Sequence, residues 1–281
     1  MWSVAGLACA WVLYQFGHFL LASPEMALIH PDQIGVQHNH FVPREGVLEV
    51  FAPDRGKSVL RIPLDERRKQ LEAIPWIEQA TVRRALPNKI EIEITERTPI
   101  AFLREATDMA LIDSHGVILD RPLTGDFHFP VVTGISADMP QEDRERRMQL
   151  FAGFMQQIET VRSGASGEVS EVDLSDEHDV RATISGLQGG APITDASQAE
   201  APVVVHFGDG DFASKYQTLL SNIAEYRARV GRLNSLDLRF NGQVVANPDT
   251  TAPAPAAAHP QASGKQSKSA QSRKGGVSTP P

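Results

Sequence analysis

From residue 89 to 96 the chain alternates strictly, with Ile90, Ile92 and Ile94 on one side and Glu91, Glu93 and Thr95 on the other. A two-residue period is that of a strand with one buried face. Ala80 and Val82 alternate in the same way ahead of a Pro87-Asn88 turn. Setting Val82 against Ile92 brings Arg83 opposite Glu91, so apolar pattern and charge agree on one hairpin register. Upstream, Arg44 to Phe51 carries Val47, Leu48 and Phe51 at helical spacing. Leu64 to Ile74 predicts a second helix, opened by Asp65-Glu66 at the positive end of its dipole and stopped by Pro75. Met26 to Val36 reads as extended, through Leu28, Ile34 and Val36. The order over this stretch is β-α-α-β-β, a small sheet with two helices on one face.

Beyond Pro99 the pattern turns to short strands. Met109 to Ile112 and Val117 to Leu119 flank the hairpin loop Asp113-Ser114-His115-Gly116, and Pro130-Val131-Val132 follows. A helix then carries Met148, Phe151, Phe154, Ile158 and Val161 along one stripe. Val172 and Leu174, then Val180, Ala182 and Ile184, predict two alternating strands, and Gly186 to Pro202 reads as a surface loop. Val203 to Phe207 is a further strand, and Phe212 to Val230 a helix with Tyr216, Leu219 and Ile223 on its buried face and Gly231 closing it. Last come Leu236 to Phe240, Asn241-Gly242 and Gln243 to Ala246, the pattern of a hairpin with a two-residue turn. From Asn247 on, Pro, Ala, Ser, Gln and Lys without apolar period predict a disordered tail.

At the other end, Trp2 to Ala22 is apolar but for Ser3, Gln15 and His18 and stops at Ser23-Pro24. About 20 apolar residues suffice for a helix to span a bilayer core of roughly 30 Å. A cleaved signal peptide fits less well: there is no basic n-region, the run is long, and Leu20-Leu21-Ala22 is a poor cleavage site. No Lys or Arg precedes Arg44, so charge bias does not orient the segment.

The net charge of -8 gives no general attraction to nucleic acid. Past Thr250 the only charged side chains are Lys265, Lys268, Arg273 and Lys274, so the folded part is more acidic than the total and the tail is basic. The single cysteine, Cys9, rules out an internal disulfide and a cysteine-based zinc site.

Three groupings invite a chemical reading. His30, His38 and His40 are zinc-type ligands in number, yet no Asp or Glu stands at zincin spacing and the last two share a loop, so exposed loop histidines are the expectation. Gly208-Asp209-Gly210-Asp211 lacks the further ligands of a calcium loop and reads as a strand-to-helix turn with Asp211 near the cap. Asp113, Ser114 and His115 are a triad in composition only, because neighbours on a tight turn do not converge. With no phosphate loop, nucleophile elbow or HExxH motif, the chain reads as an interaction protein with no catalytic residue, cofactor, metal or small-molecule substrate.

Ile74-Pro75-Trp76-Ile77 through Arg83-Arg84, then Leu86-Pro87-Asn88-Lys89-Ile90-Glu91-Ile92 and Glu96-Arg97-Thr98-Pro99-Ile100-Ala101, resemble the POTRA hairpin of the FtsQ/DivIB family of bacterial cell-division proteins and its exit into a β domain. Leu111-Ile112-Asp113 to Gly116-Val117-Ile118 resembles the first hairpin of that β domain, and Leu236-Asp237-Leu238-Arg239-Phe240 its penultimate strand. The resemblance runs from the apolar segment to about Ala246. It implies an α+β chain in four parts: a transmembrane anchor (1–23), a POTRA domain (26–97), a larger antiparallel β domain with helices (98–247) and a tail (248–281). A POTRA-bearing accessory of outer-membrane assembly or secretion is the alternative, but the tail leaves no room for a barrel.

The resemblance further implies a non-enzymatic divisome protein, single-pass and type II in the inner membrane, with its bulk periplasmic at the septum. Its implied partners are the single-span coiled-coil proteins FtsB and FtsL and other divisome membrane proteins, linked to septal peptidoglycan synthesis. In the family FtsB adds a strand beside the last β-strand. Carried over, the partner-binding residues are Arg239, Phe240, Gly242, Gln243, Val244, Val245 and Ala246. Gln243 to Ala246, as the second arm of a terminal hairpin, would offer a free backbone edge. The pattern leaves Phe240 open between core filler and partner contact. Two features depart from the family: its cytoplasmic N-terminal tail has no counterpart in this sequence, and the low-complexity C-terminal stretch is long.

Overall fold

The isoleucines at 90, 92 and 94 form the central strand of a three-stranded sheet. The computed structural model describes residues 2–22, 24–105, 108–122, 124–187, 202–230, 233–240 and 244–248. Helix α1 is Trp2–Ala22, and β1 (Ile34–Gln37), α2 (Arg44–Val50), α3 (Leu64–Glu72), β2 (Ile77–Ala85) and β3 (Lys89–Glu96) follow in the expected order. The sheet order is β1-β3-β2, with β1 parallel to β3 and β2 antiparallel. Val82 pairs with Ile92 and Arg83 with Glu91, the register that the alternation predicts. The ion pair is diagonal instead, Arg83 to Glu93 at 3.1 Å, because strand twist brings diagonal neighbours within reach of a long side chain.

Ile90, Ile92 and Ile94 pack with Ile34, Val47, Phe51 and Leu71 in one buried cluster. The fully buried carboxylate of Asp54 sits in this unit, held by Arg67 Nε at 2.6 Å and Lys57 Nζ at 2.8 Å. Burial alone would raise its pKa, but these two cations outweigh burial and lower it. The stretch expected to be extended from Met26 is instead two 3-10 turns, Pro24–Met26 and Pro31–Gln33, before β1. Gln33 Oε1 accepts the amides of Ile29 and His30, and this local closure shortens the strand.

A nine-stranded sheet takes the rest: β4 (Pro99–Arg104), β5 (Met109–Asp113), β6 (Ile118–Leu119), β7 (Val131–Thr133), β8 (Val169–Asp176), β9 (Asp179–Ile184), β10 (Val203–His206), β11 (Leu233–Asp237) and β12 (Val245–Pro248). Helix α4 (Gln141–Val161) joins β7 to β8, and α5 (Phe212–Val230) joins β10 to β11. The order is β12-β11-β10-β9-β8-β7-β4-β5-β6. The expected antiparallel domain is therefore corrected to a mixed sheet, since β4/β7, β7/β8 and β10/β11 are parallel. Each helix returns the chain to the end of the sheet it started from, and the next strand must then run parallel.

Met148, Phe151, Phe154 and Ile158 of α4 meet Phe212, Tyr216, Leu219 and Ile223 of α5 in a core shared with β4 and β7 to β11. Strand β12 runs through Pro248, into the stretch read as tail. The rest of that tail, Gly231 and most of the expected loop from Gly186 to Pro202 lie outside the described residues.

The two sheets share a joint. Leu111 and Leu119 of the large sheet are buried in the cluster of the small one, and Phe102, Phe127 and Phe129 pack against it. Trp76 Nε1 donates to Asp120 O at 3.1 Å, and Arg97 Nη1 to Asp113 Oδ2 at 2.9 Å. Asp113 Oδ1 also accepts the amides of His115 and Val117. The carboxylate of the apparent triad is thus occupied in tying its own turn to Arg97.

Of α1, the side chains of Gly6 to Gln15 are described and all are exposed. Ten residues at ~1.5 Å each cover about half of a bilayer core. Among the described residues no helix is long and apolar enough to cross a membrane.

Candidate strand-addition edge

Leu233 and Leu236 bury β11 in the core, and β12 lies along its far side in antiparallel register, Leu236 against Ala246 and Asp237 against Val245. β12 ends the sheet, so among the described residues no strand pairs with its outer side. A row of backbone donors and acceptors there can template an incoming chain. Val244 and Ala246 pack against the core, while Val245 is 45% exposed. Asn247 Nδ2 donates to Ser235 Oγ at 3.1 Å across the pair and so helps hold β12 in place.

The first arm of the expected hairpin is shorter than the sequence pattern predicts: β11 stops at Asp237 and not at Phe240, and β12 begins at Val245. Two local contacts account for this. Leu238 donates its amide to His206 O at 2.9 Å and is itself buried. Asp237 Oδ1 accepts the amide of Arg239 at 3.0 Å, an Asx closure that competes with the ladder. Asn241, Gly242 and Gln243 lie outside the described residues, so two of the seven carried-over positions, Gly242 and Gln243, have no structural account.

Arg239 folds back on Asp237, with Nη2 to Oδ2 at 2.7 Å, and its Nη1 lies 3.5 Å from Asp179. The hydrogen bond from Arg239 lowers the pKa of Asp237, and the same bond raises that of Arg239. Phe240 is 55% exposed, with the Arg239 guanidinium 5.9 Å from its ring centroid. It is therefore not core filler.

Asp179, which the sequence pattern did not single out, lies beneath this loop and is only 2% exposed. It accepts His206 Nδ1 at 2.8 Å, Arg181 Nε at 3.1 Å and the Gly208 amide at 3.1 Å. Burial raises its pKa, but the bonds from His206, Gly208 and Arg181 outweigh burial and lower it. One carboxylate thus ties β9, β10, the turn after β10 and the loop that carries Phe240. The sequence signal at this point is limited to Gly208, whose φ of +73° favours glycine in the turn that aims its amide at Asp179.

The other groupings are also placed. The amides of His40, Phe41 and Val42 all donate to Glu96 Oε1, at 2.8, 2.8 and 2.7 Å, and His38 Nδ1 lies 4.0 Å from Glu93. Among the described residues no group of three or more His, Cys, Asp or Glu side chains could hold a metal ion. Asp211 precedes α5 in a left-handed conformation and accepts the Lys215 amide through its carbonyl.

Comparison with known proteins agrees with this architecture. A model of the FtsQ-type POTRA domain matches residues 30–97, and one of the cell-division protein FtsQ/DivIB C-terminal region matches residues 101–239. Cell division protein FtsQ of Koribacter versatilis (strain Ellin345) is 35% identical over 233 residues, 82% of this chain and 63% of that protein. The match thus spans slightly under two thirds of that relative. FtsQ of Geobacter sp. (strain M21) is 25% identical over 222 residues, 78% of this chain and 76% of that protein. Among solved structures, the major extracytoplasmic domain of the trans isomer of DivIB from Geobacillus stearothermophilus aligns with a TM-score of 0.27 at 14% identity. That alignment covers 47% of this chain and 96% of the other, and it is too loose to carry weight. The matched segments together run from the small sheet through Arg239, and by them the chain belongs to the FtsQ/DivIB family of cell-division proteins.

Proposed function

We propose that this chain is a non-enzymatic divisome scaffold, anchored in the inner membrane by α1 as a type II single-pass protein with its two sheets outside the cytoplasm. In this reading residues 1–23 are the anchor, 26–97 the POTRA domain, 98–247 the β domain and 248–281 a tail. The β domain docks small single-span division proteins of the FtsB and FtsL kind by strand addition along β12, next to Arg239 and Phe240. One observation carries the reading: β12 closes the nine-stranded sheet with its outer side unpaired among the described residues. Val245 on β12 and Phe240 in the segment after β11 are exposed apolar side chains. Family membership supports a role in division. The apolar run of the sequence from Trp2 to Ala22 supports the anchor.

The test is co-purification of the full chain with FtsB from membranes, using Val245→Pro and Ala246→Pro. Successive residues in an antiparallel strand direct their amides to opposite sides. One of the two prolines therefore removes a donor from the outer side while leaving the bonds to β11 intact. That variant should stay folded and lose FtsB. Undiminished capture by both, with unchanged thermal melts, would remove strand addition from the proposal.

A further inference from the structure

Outside α1, six large apolar side chains are exposed among the described residues: Ile29, Leu60, Leu86, Met109, Phe240 and Val245. The last two belong to the β12 edge. Ile29, Leu60 and Leu86, at 52%, 37% and 64% exposure, belong instead to the small sheet, and the backbone gathers them near the exit of α1.

From Ala22 to Ala27 is five residues, at most ~18 Å when fully extended. Three of them form the 3-10 turn Pro24–Met26, which is shorter still. Ala27 makes an antiparallel bridge with Ser58, Leu28 donates to Lys57 O at 2.9 Å, and Gly56 donates to Leu28 O at 2.8 Å. Residues 56–58 are therefore fixed at the exit. Ser58 Oγ caps the 3-10 turn Val59–Arg61, which displays Leu60. Arg84 grips the two ends of that turn, Nε to Val59 O at 2.8 Å and Nη2 to Ile62 O at 2.7 Å. Two residues further, past the last pair of the hairpin (Ala85 with Lys89), Leu86 stands at the tip. Arg61 adjoins Leu60 and Lys89 pairs with Ala85 at the end of the hairpin, both exposed, as is Arg55; Lys57 pairs with Asp54, and Glu25 and Asp32 are exposed acids of the segment between α1 and β1.

Apolar tips fringed by cations suit the boundary between acyl chains and anionic headgroups. We propose that Leu60 and Leu86, with Arg61 and Lys89, form a membrane-contact site that seats the small sheet on the leaflet from which α1 emerges, where it takes anionic phospholipid. The inference rests on the reading of α1 as an anchor. Its consequence is orientation. β12 lies eight strand spacings from β6, the edge that meets the small sheet, or ~38 Å at ~4.8 Å each. Seating one end on lipid would hold the docking edge at a set distance from it.

The experiment uses the full chain in vesicles of phosphatidylethanolamine and phosphatidylglycerol, with an environment-sensitive fluorophore on one cysteine and nitroxide-labelled lipid as quencher. The native Cys9 reports on α1. In a Cys9→Ser background, Leu60→Cys and Leu86→Cys report on the contact, and Met109→Cys is the exposed comparison. Quenching at 60 and 86 should exceed that at 109 by about twofold or more, and fall in pure phosphatidylcholine or with Arg61→Gln and Lys89→Gln combined. Quenching at 9 with positions 60 and 86 no different from 109 would overturn the contact and leave the anchor standing. Quenching at 60 and 86 without quenching at 9 would support the contact and overturn the anchor. Equal quenching in phosphatidylcholine would overturn the preference for anionic lipid.

Discussion

Replacing Asp179 by asparagine tests whether one buried charge organises the end of the sheet that carries Phe240. The carboxylate accepts His206, Arg181 and the Gly208 amide, with Arg239 at 3.5 Å. Asparagine keeps an acceptor for Gly208 but loses the charge that His206, Arg181 and Arg239 share. Hydrogen bonds to a charged group contribute roughly 1.5–3 kcal/mol each and do not add within one network, so the expected loss is about 2–3 kcal/mol. Alanine should cost about 1 kcal/mol more, because the Gly208 amide is buried and would be left without its acceptor.

The pH dependence supplies the sharper readout. Folding lowers the pKa of Asp179 below its ordinary value of 3.8, so its contribution is fully present above that value. It is lost as pH falls through the lower folded value. Urea unfolding of wild type and Asp179→Asn, followed by circular dichroism from pH 7 to pH 3, should show a difference that is level near neutrality and narrows in acid. A difference of the same size at pH 3 as at pH 7, or none at pH 7, would refute the reasoning.

Three further outcomes follow from the fold. Arg97→Met leaves the buried Asp113 carboxylate with its two turn amides and the half-exposed His115 imidazole at 3.8 Å, and should cost about 2–3 kcal/mol in urea unfolding, with Arg97→Lys recovering part of it. Limited proteolysis should then cut sooner between the two sheets, near Thr98. Gly134 has φ +83°, and a Cβ there would meet Ser175 N at 2.2 Å, so Gly134→Ala should abolish folded yield. Gly153 lies in α4 with nothing within 4 Å, so Gly153→Ala should raise stability by about 0.5–1 kcal/mol in the same unfolding assay.

Much of the fold is legible in the sequence because it is written locally. The isoleucines of β3 and their partners on β2 specify a register, since a slip of one residue would turn the whole apolar row outward. The stripes of α4 and α5 specify which face each helix buries. The family resemblance rested on the same local motifs.

What tertiary structure alone decided concerns neighbours far apart in sequence. That β10 and β11 run parallel follows from where α5 packs, which no residue of either strand encodes. Asp237 could cap its own loop or continue the ladder, and the capture of Leu238 by His206 settled it. Phe240 looked equally fit for core or surface, and its exposure follows from that early strand end. Asp179 and its partners on β10 and the following loops meet only once the sheet has formed, because a buried charge is tolerated where several chain segments bring it donors at once.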